Sequence, residues 1–323
     1  MINGKANVND VQELIEQEIG PFDVVMHVSE GRNSEVSVIV CTGDDITFVK
    51  GRGADHPQAW TQERERLINP AVQSIAPRVK WSARNEAWDL NGFEYAAGRH
   101  SDYCPNSADL PKVVSLLRRL QEIRCPDVEL KQADQRWASY TEAPGLFSGT
   151  SLLHTEWTPG NVLVGDLAYL VDWAWPTRGA AWIDPACWAV WLIASGHTPR
   201  SAESWAAQIP SWQDAPASSL DEFARVQARM WAGIAAESSE PWTRSLATAS
   251  SLWSSHRDIL TKALLAAADG RFWATAGRPE AMSPGRLTFK WFPEDQHDRV
   301  RRDFAIMADL AWKALQAVTS PHV

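Results

Sequence analysis

The pattern of apolar and polar positions changes character twice along the chain. Val11, Leu14, Ile15 and Ile19 recur at helical spacing behind Asn9, a candidate N-cap, and predict a first helix. From residue 22 the period shortens. Residues 22–28, 36–41 and 46–50 are β-rich runs parted by polar turns at 29–34 and 42–45, which predicts an antiparallel meander. Residues 58–67 have helical composition, and 78–81 and 87–95 add two strands to make a five-stranded sheet.

Beyond residue 97 the pattern becomes helical. Val113, Val114, Leu116, Leu117 and Leu120 form the apolar face of a helix over 111–123, and 132–140 predicts another. Asp184 and Pro185 open a further helix, followed by 202–208, 220–236, 244–267 and 298–318. Segments 210–219, 237–243 and 270–297 are rich in Pro, Gly and Ser and read as loops. One hairpin interrupts the helices: strands at 161–164 and 167–171, joined at Gly165-Asp166 by a two-residue turn. The pattern predicts an α+β protein of two lobes. Residues 1–97 carry a small antiparallel sheet, and 98–323 are mostly helical.

Composition narrows the classes. A length of 323 residues suits two lobes, and 45% hydrophobic with 22% charged residues is ordinary for a water-soluble globular chain. The net charge of −9 argues against a nucleic-acid or anionic-membrane surface. Cys41, Cys104, Cys125 and Cys187 are scattered without metal-ligand spacing and read as reduced thiols of a cytoplasmic protein. The N-terminus lacks the basic and apolar regions of a signal peptide, and no apolar run is long enough to span a bilayer. Of the 18 tryptophans, most recur with Ala and Leu at helical spacing and read as core. Trp157, Trp175, Trp212 and Trp242 stand in polar surroundings and are candidates to stack on a sugar, a base or a cation.

The chemistry concentrates at the hairpin. His154, Glu156, Asn161 and Asp172 follow in an order that suits metal-assisted phosphoryl transfer: one carboxylate to orient a hydroxyl, an Asn and a second carboxylate to hold Mg²⁺. Strand pairing would bring Asn161 and Asp172 together at the open end of the hairpin. His154-x-Glu156, Pro159-Gly160-Asn161, Asp172-Trp173, Gly179 and Asp184 with Ala186 resemble, in order and spacing, the catalytic and metal motifs of the aminoglycoside phosphotransferase family. The chain departs from that family where Glu156 replaces an Asp.

The resemblance implies a bilobal protein-kinase-like fold that binds ATP (or GTP) and Mg²⁺ and phosphorylates a hydroxyl of a small molecule, an antibiotic or related metabolite. It places Glu156, Asn161 and Asp172 in catalysis, Asn161 and Asp172 on the metal, and His154 and Asp184 in support of the loop. Lys50 would hold the α and β phosphates, paired with Glu65 rather than Glu63. Amides of the turn around Gly31 would lie over the phosphates, and Glu94 and Ala96 would form the hinge that holds adenine. Two rivals stay open: a nucleotide-binding pseudokinase disabled at Glu156, and a kinase of an ordinary amino alcohol or sugar. A cationic acceptor would be met by Asp214, Asp221 and Glu222.

Overall fold

The computed structural model describes residues 8–28 and 34–268. The expected turn around Gly31 and the expected helix over 298–318 lie outside the described residues. The chain divides into two compact units, Met1–Ser254 and Ser255–Val323, and every described candidate site residue belongs to the first.

Helix α1 (Val8–Ile19) precedes strands β1 (Asp23–His27), β2 (Val36–Thr42) and β3 (Asp45–Gly53). Asn9 falls within α1 rather than ahead of it. Helix α2 (Trp60–Val72) is followed by β4 (Val79–Arg84) and β5 (Trp88–Glu94), and the five strands pair in the order β1-β2-β3-β5-β4. All the pairs are antiparallel. Val11, Leu14 and Ile15 of α1 pack on Val36, Val38, Val40, Val49 and Leu90, so one face of the sheet is closed by the first helix. Helix α2 continues past residue 67, through Pro70, to Val72. The missing amide of Pro70 is tolerated because Ile68, Val72 and Ile75 are fully buried in the second, larger core. That anchors α2 at one end and leaves its first turns beside the sheet.

The short strand β6 (Arg99–His100) follows, then helix α3 (Leu110–Glu122), β7 (Lys131–Gln132) and the single turn α4 (Ala133–Arg136). The helix expected over 132–140 therefore breaks at Trp137, beyond which 138–140 form a 3₁₀ turn. Trp137 turns inward against Phe147 and Phe223, and this aromatic packing overrides the local helical composition. Strands β8 (Ser151–Leu153), β9 (Val162–Val164), β10 (Ala168–Leu170) and β11 (Thr177–Gly179) carry the central loops. The β9–β10 hairpin pairs Val164 with Ala168, so residues 165–167 form a three-residue connection where the sequence predicted a two-residue turn. Helices α5 (Ile183–Ala194), α6 (Pro199–Ala206), α7 (Pro210–Gln213), α8 (Ala217–Glu237) and α9 (Pro241–Ala268) complete the order. The short α7 lies inside a segment expected to be loop.

The chain passes from sheet to helices along the β9–β10 hairpin. β6 pairs with β9, and a Cβ on Gly98 would stand 3.2 Å from the Val164 backbone. A Cβ on Gly165 would meet the Ala97 carbonyl at 2.9 Å, so this close approach requires glycine. No described helix is long and apolar enough to cross a membrane.

Candidate active site

Lys50 stands in the middle of β3, between Ser37 of β2 and Asn91 of β5. Its ammonium donates to Glu65 Oε1 of α2 at 2.9 Å and to Asp172 Oδ1 at 2.5 Å. One buried cation thus joins the sheet, the helix beside it and the loop after β10. Glu65 is buried, whereas Glu63 is exposed, so the helix turns only the former inward. Burial by itself would lower the Lys50 pKa, but the Asp172 and Glu65 carboxylates outweigh it and raise the value, so the ammonium stays charged. Burial raises the Glu65 pKa despite the partial offset from Lys50.

The loop from His154 to Asn161 is held from three sides. Asp184, in the first turn of α5, accepts the backbone N–H groups of His154 and Thr155 at 2.9 and 2.7 Å. Burial nevertheless lifts its carboxyl to about 6. His154 has Nε2 at 3.0 Å from the Val171 carbonyl, and its Nδ1 accepts the Glu156 amide at 3.3 Å. Those partners assign the neutral Nε2–H tautomer, in keeping with burial that lowers its pKa to about 4. The ring sits edge-on to Trp173 at 4.7 Å. Both ring nitrogens are thus engaged within the loop and the residue after β10.

Asn161 ends a 3₁₀ turn, and its amide nitrogen donates to the Glu156 carbonyl at 3.0 Å. Its own carbonyl accepts the Val171 amide at 2.9 Å, which places Asp172 one residue beyond the hairpin ladder. Thr155 and Asp172 both adopt left-handed backbone, with φ of 72° and 64°. For a β-branched residue such as Thr155 this conformation costs roughly 1–3 kcal/mol, and the bonds to Asp184 hold it there. The Glu156 carboxylate is mostly enclosed; burial and the nearby Asp172 raise its pKa to about 7. Its Oε1 lies 3.9 Å from the Arg136 guanidinium.

The donors suit a magnesium ion. Asn161 commits its nitrogen to the loop and keeps an amide oxygen, Asp172 adds a carboxylate, and Mg²⁺ is held by one or two such oxygens together with phosphates. Among the described residues no group of three or more His, Cys, Asp and Glu side chains could hold a metal ion alone.

Glu94 is exposed, its carboxylate pairs with Arg78, and its amide donates to the Arg78 carbonyl at 2.8 Å, so that amide is already committed. Ala96 is half-buried on the otherwise exposed stretch after β5. Trp157 and Trp212 are buried, and Trp242 packs against Trp191 and Trp231. None of these three presents a ligand platform, because packing against the core outweighs their polar sequence neighbours. Asp221 is buried, and Glu222 pairs with Arg225 and Arg229, which removes two of the three carboxylates expected to greet a cation.

Two residues escaped the sequence reading. Arg52 is buried two positions after Lys50, hence on the same face of β3, and feels the Asp172 and Glu65 charges. The period of two was the available signal. Arg136 reaches Glu156 from α4, and nothing in its local sequence announces this.

No family model matches the chain, and no curated protein matches it in sequence. Solved structures do. The aminoglycoside phosphotransferase APH(4)-Ia aligns with a TM-score of 0.55 at 11% identity, over 78% of this chain and 99% of that one. Choline kinase LicA from Streptococcus pneumoniae aligns at 0.54 and 13% identity, over 76% and 99%. A thermostable mutant of APH(4)-Ia in ternary complex with ADP and hygromycin B aligns at 0.51 and 13%, over 77% and 98%. At such identities the likeness establishes the fold.

Proposed function

We propose that this chain, which has the kinase-like fold of the small-molecule phosphotransferases it is similar to, moves the γ-phosphate of ATP or GTP to a hydroxyl of a small molecule. The observation that carries the reading is the buried Lys50 ammonium, held by Glu65 and Asp172 beside the His154–Asn161 loop. The ADP complex of the similar APH(4)-Ia mutant supports a nucleotide in the cleft.

In this reading Lys50 meets the α and β phosphates, fixed by Glu65. Glu94 and Ala96 lie along the base, so residues 1–97 form the nucleotide-binding lobe and residues from 98 onward carry the catalytic and acceptor groups. Asn161 and Asp172 would hold Mg²⁺, which would offset phosphate charge when bound. Glu156 receives the acceptor proton as the hydroxyl oxygen bonds to the γ-phosphorus. The bond from that phosphorus to the β–γ bridging oxygen breaks, and the nucleoside diphosphate leaves with the electron pair. Phosphoryl transfer asks the protein mainly for position and charge. A base near pKa 7 is matched to neutral pH. His154 and Asp184 hold the loop and take no part in the transfer.

The extra methylene of Glu156, relative to the Asp of the family pattern, favours a second reading of nucleotide binding without turnover. Release of nucleoside diphosphate, screened against hydroxyl-bearing antibiotics, sugars and amino alcohols, separates the two. The expected result is acceptor-dependent release that Asp172→Asn abolishes. Nucleotide binding with no release for any acceptor would establish the second reading.

A further inference from the structure

Beyond Glu156 the structure gathers cations on a tryptophan pair. Trp60, at the start of α2, meets Trp175, in the loop between Asp172 and β11, edge to face at 4.8 Å. Lys131 Nζ stands 4.5 Å from the centre of the Trp175 ring, and the Arg136 guanidinium stands 5.9 Å from it. Arg64 lies 5.3 Å above Trp60. Arg136 then closes on Glu156 at 3.9 Å, so the cluster is continuous with the residue assigned to the acceptor hydroxyl.

The carboxylates that could neutralise this cluster are elsewhere. Asp134, on the same short helix as Arg136, bonds the Ser148 hydroxyl and the Gln135 amide. Among the described residues neither Arg64 nor Lys131 has a carboxylate within ion-pair distance, and Arg136 has only Glu156. Three cations therefore share one carboxylate in a chain whose net charge is −9. Burial, with the like charges of Arg136 and Arg64, holds Lys131 below its ordinary pKa. Arg136 spends Nη1 on the Trp175 carbonyl and the Thr177 hydroxyl. Repulsion among three cations is relieved by an anion, and a guanidinium stacked on an indole can offer its remaining in-plane N–H groups to one.

The geometry points to an acceptor that carries, besides its hydroxyl, a carboxylate or phosphate that docks on Arg64, Lys131 and Arg136. This rests on the phosphotransferase reading and stands against a cationic acceptor. Glu156 feels the charges of Asp172, Arg136 and Lys50 and stands 3.9 Å from the Arg136 guanidinium. A hydroxyl held at Glu156 toward the nucleotide leaves the rest of its molecule facing the arginine. The tryptophan pair fixes the cations, because each would otherwise sample many rotamers.

Glycerate and glycerol 3-phosphate serve as anionic probes, glycerol as the neutral one and choline as the cationic one, each tested by calorimetric titration and by nucleoside diphosphate release. Both anionic probes are expected to bind at least about tenfold more tightly than choline in low salt. Lys131→Glu and Arg64→Glu, both on solvent-accessible side chains, are each expected to weaken that binding about tenfold and to raise the acceptor KM more than the nucleotide KM. A preference for glycerate over glycerol 3-phosphate would identify the docking group as a carboxylate, and the reverse as a phosphate. Equal or absent binding of the charged probes, or a charge reversal that moves only the nucleotide KM, would overturn the inference. Anion binding that responds to the variants without any transfer would instead sink the phosphotransferase reading and leave the anion site standing.

Discussion

Replacing Lys50 by Met tests fold and site together. The ammonium is the hydrogen-bonded cation of Glu65, whose side chain is 3% exposed, and it also holds Asp172 at 2.5 Å. Removing one partner of a buried ion pair costs roughly 3–5 kcal/mol, because the other charge is left in a poor solvent. Glu65 has an escape: it can take up a proton. Its folded pKa is already raised by burial and by Asp172, and losing Lys50 raises it further. A carboxyl with a raised folded pKa contributes stability that is present below its unfolded value and lost as pH rises through the folded one. The penalty of Lys50→Met should therefore grow with pH, from about 1 kcal/mol at pH 5 to about 3 kcal/mol at pH 8. At about 2–4 °C per kcal/mol for a unit of this size, Tm should fall by roughly 6–12 °C at pH 8. Urea unfolding at the two pH values measures the effect. Adding Glu65→Gln removes the orphaned charge and should restore about 2 kcal/mol, a coupling read from the double-mutant cycle. Nucleotide binding should remain lost in both variants. A Lys50→Met protein within about 0.5 kcal/mol of wild type at pH 8, or a penalty independent of pH, would refute the picture of Lys50 as the neutraliser of a buried carboxylate.

Two further outcomes follow from the loop. Glu156→Gln should remove nearly all transfer, while Glu156→Asp should retain or raise it. In the parent kcat/KM should climb through about pH 7 to a plateau, since the raised carboxyl must lose its proton to act as base; a Gln variant as active as the parent would exclude that base. Burial holds His154 near pKa 4, well below its ordinary 6.5, so the stability it contributes is present above its unfolded value and lost as pH falls through the folded one. Between pH 6.5 and 4 the urea midpoint of the parent should fall more steeply than that of His154→Asn, by up to about 3 kcal/mol in stability. Parallel slopes would show that His154 is not held neutral.

The sequence by itself determined the parts whose signals are local. β-rich runs between polar turns marked all five strands of the first sheet, and the helical face of α3 is legible in Val113, Val114, Leu116, Leu117 and Leu120. The hairpin between Asn161 and Asp172 was visible because short apolar strands flank a turn, although its connection is one residue longer than the turn chemistry suggested. The pairing of Lys50 with Glu65 was implied by the family resemblance, and the two side chains are hydrogen-bonded at 2.9 Å.

Other features needed the assembled chain. The break at Trp137 is made by packing against Phe147 and the sequence-distant Phe223, and no local propensity encodes it. Trp157 and Trp212 looked exposed among polar neighbours, yet burial depends on what packs against them from other elements. The same reason hid the cationic cluster beside Glu156. Arg64, Lys131 and Arg136 lie on three different elements, in a chain whose total charge is negative, and become a single cationic surface only when Trp60 and Trp175 meet. Composition sums charge over the whole sequence. Only tertiary structure decides which charges share a face, because Coulomb energy depends on separation in space and not along the chain.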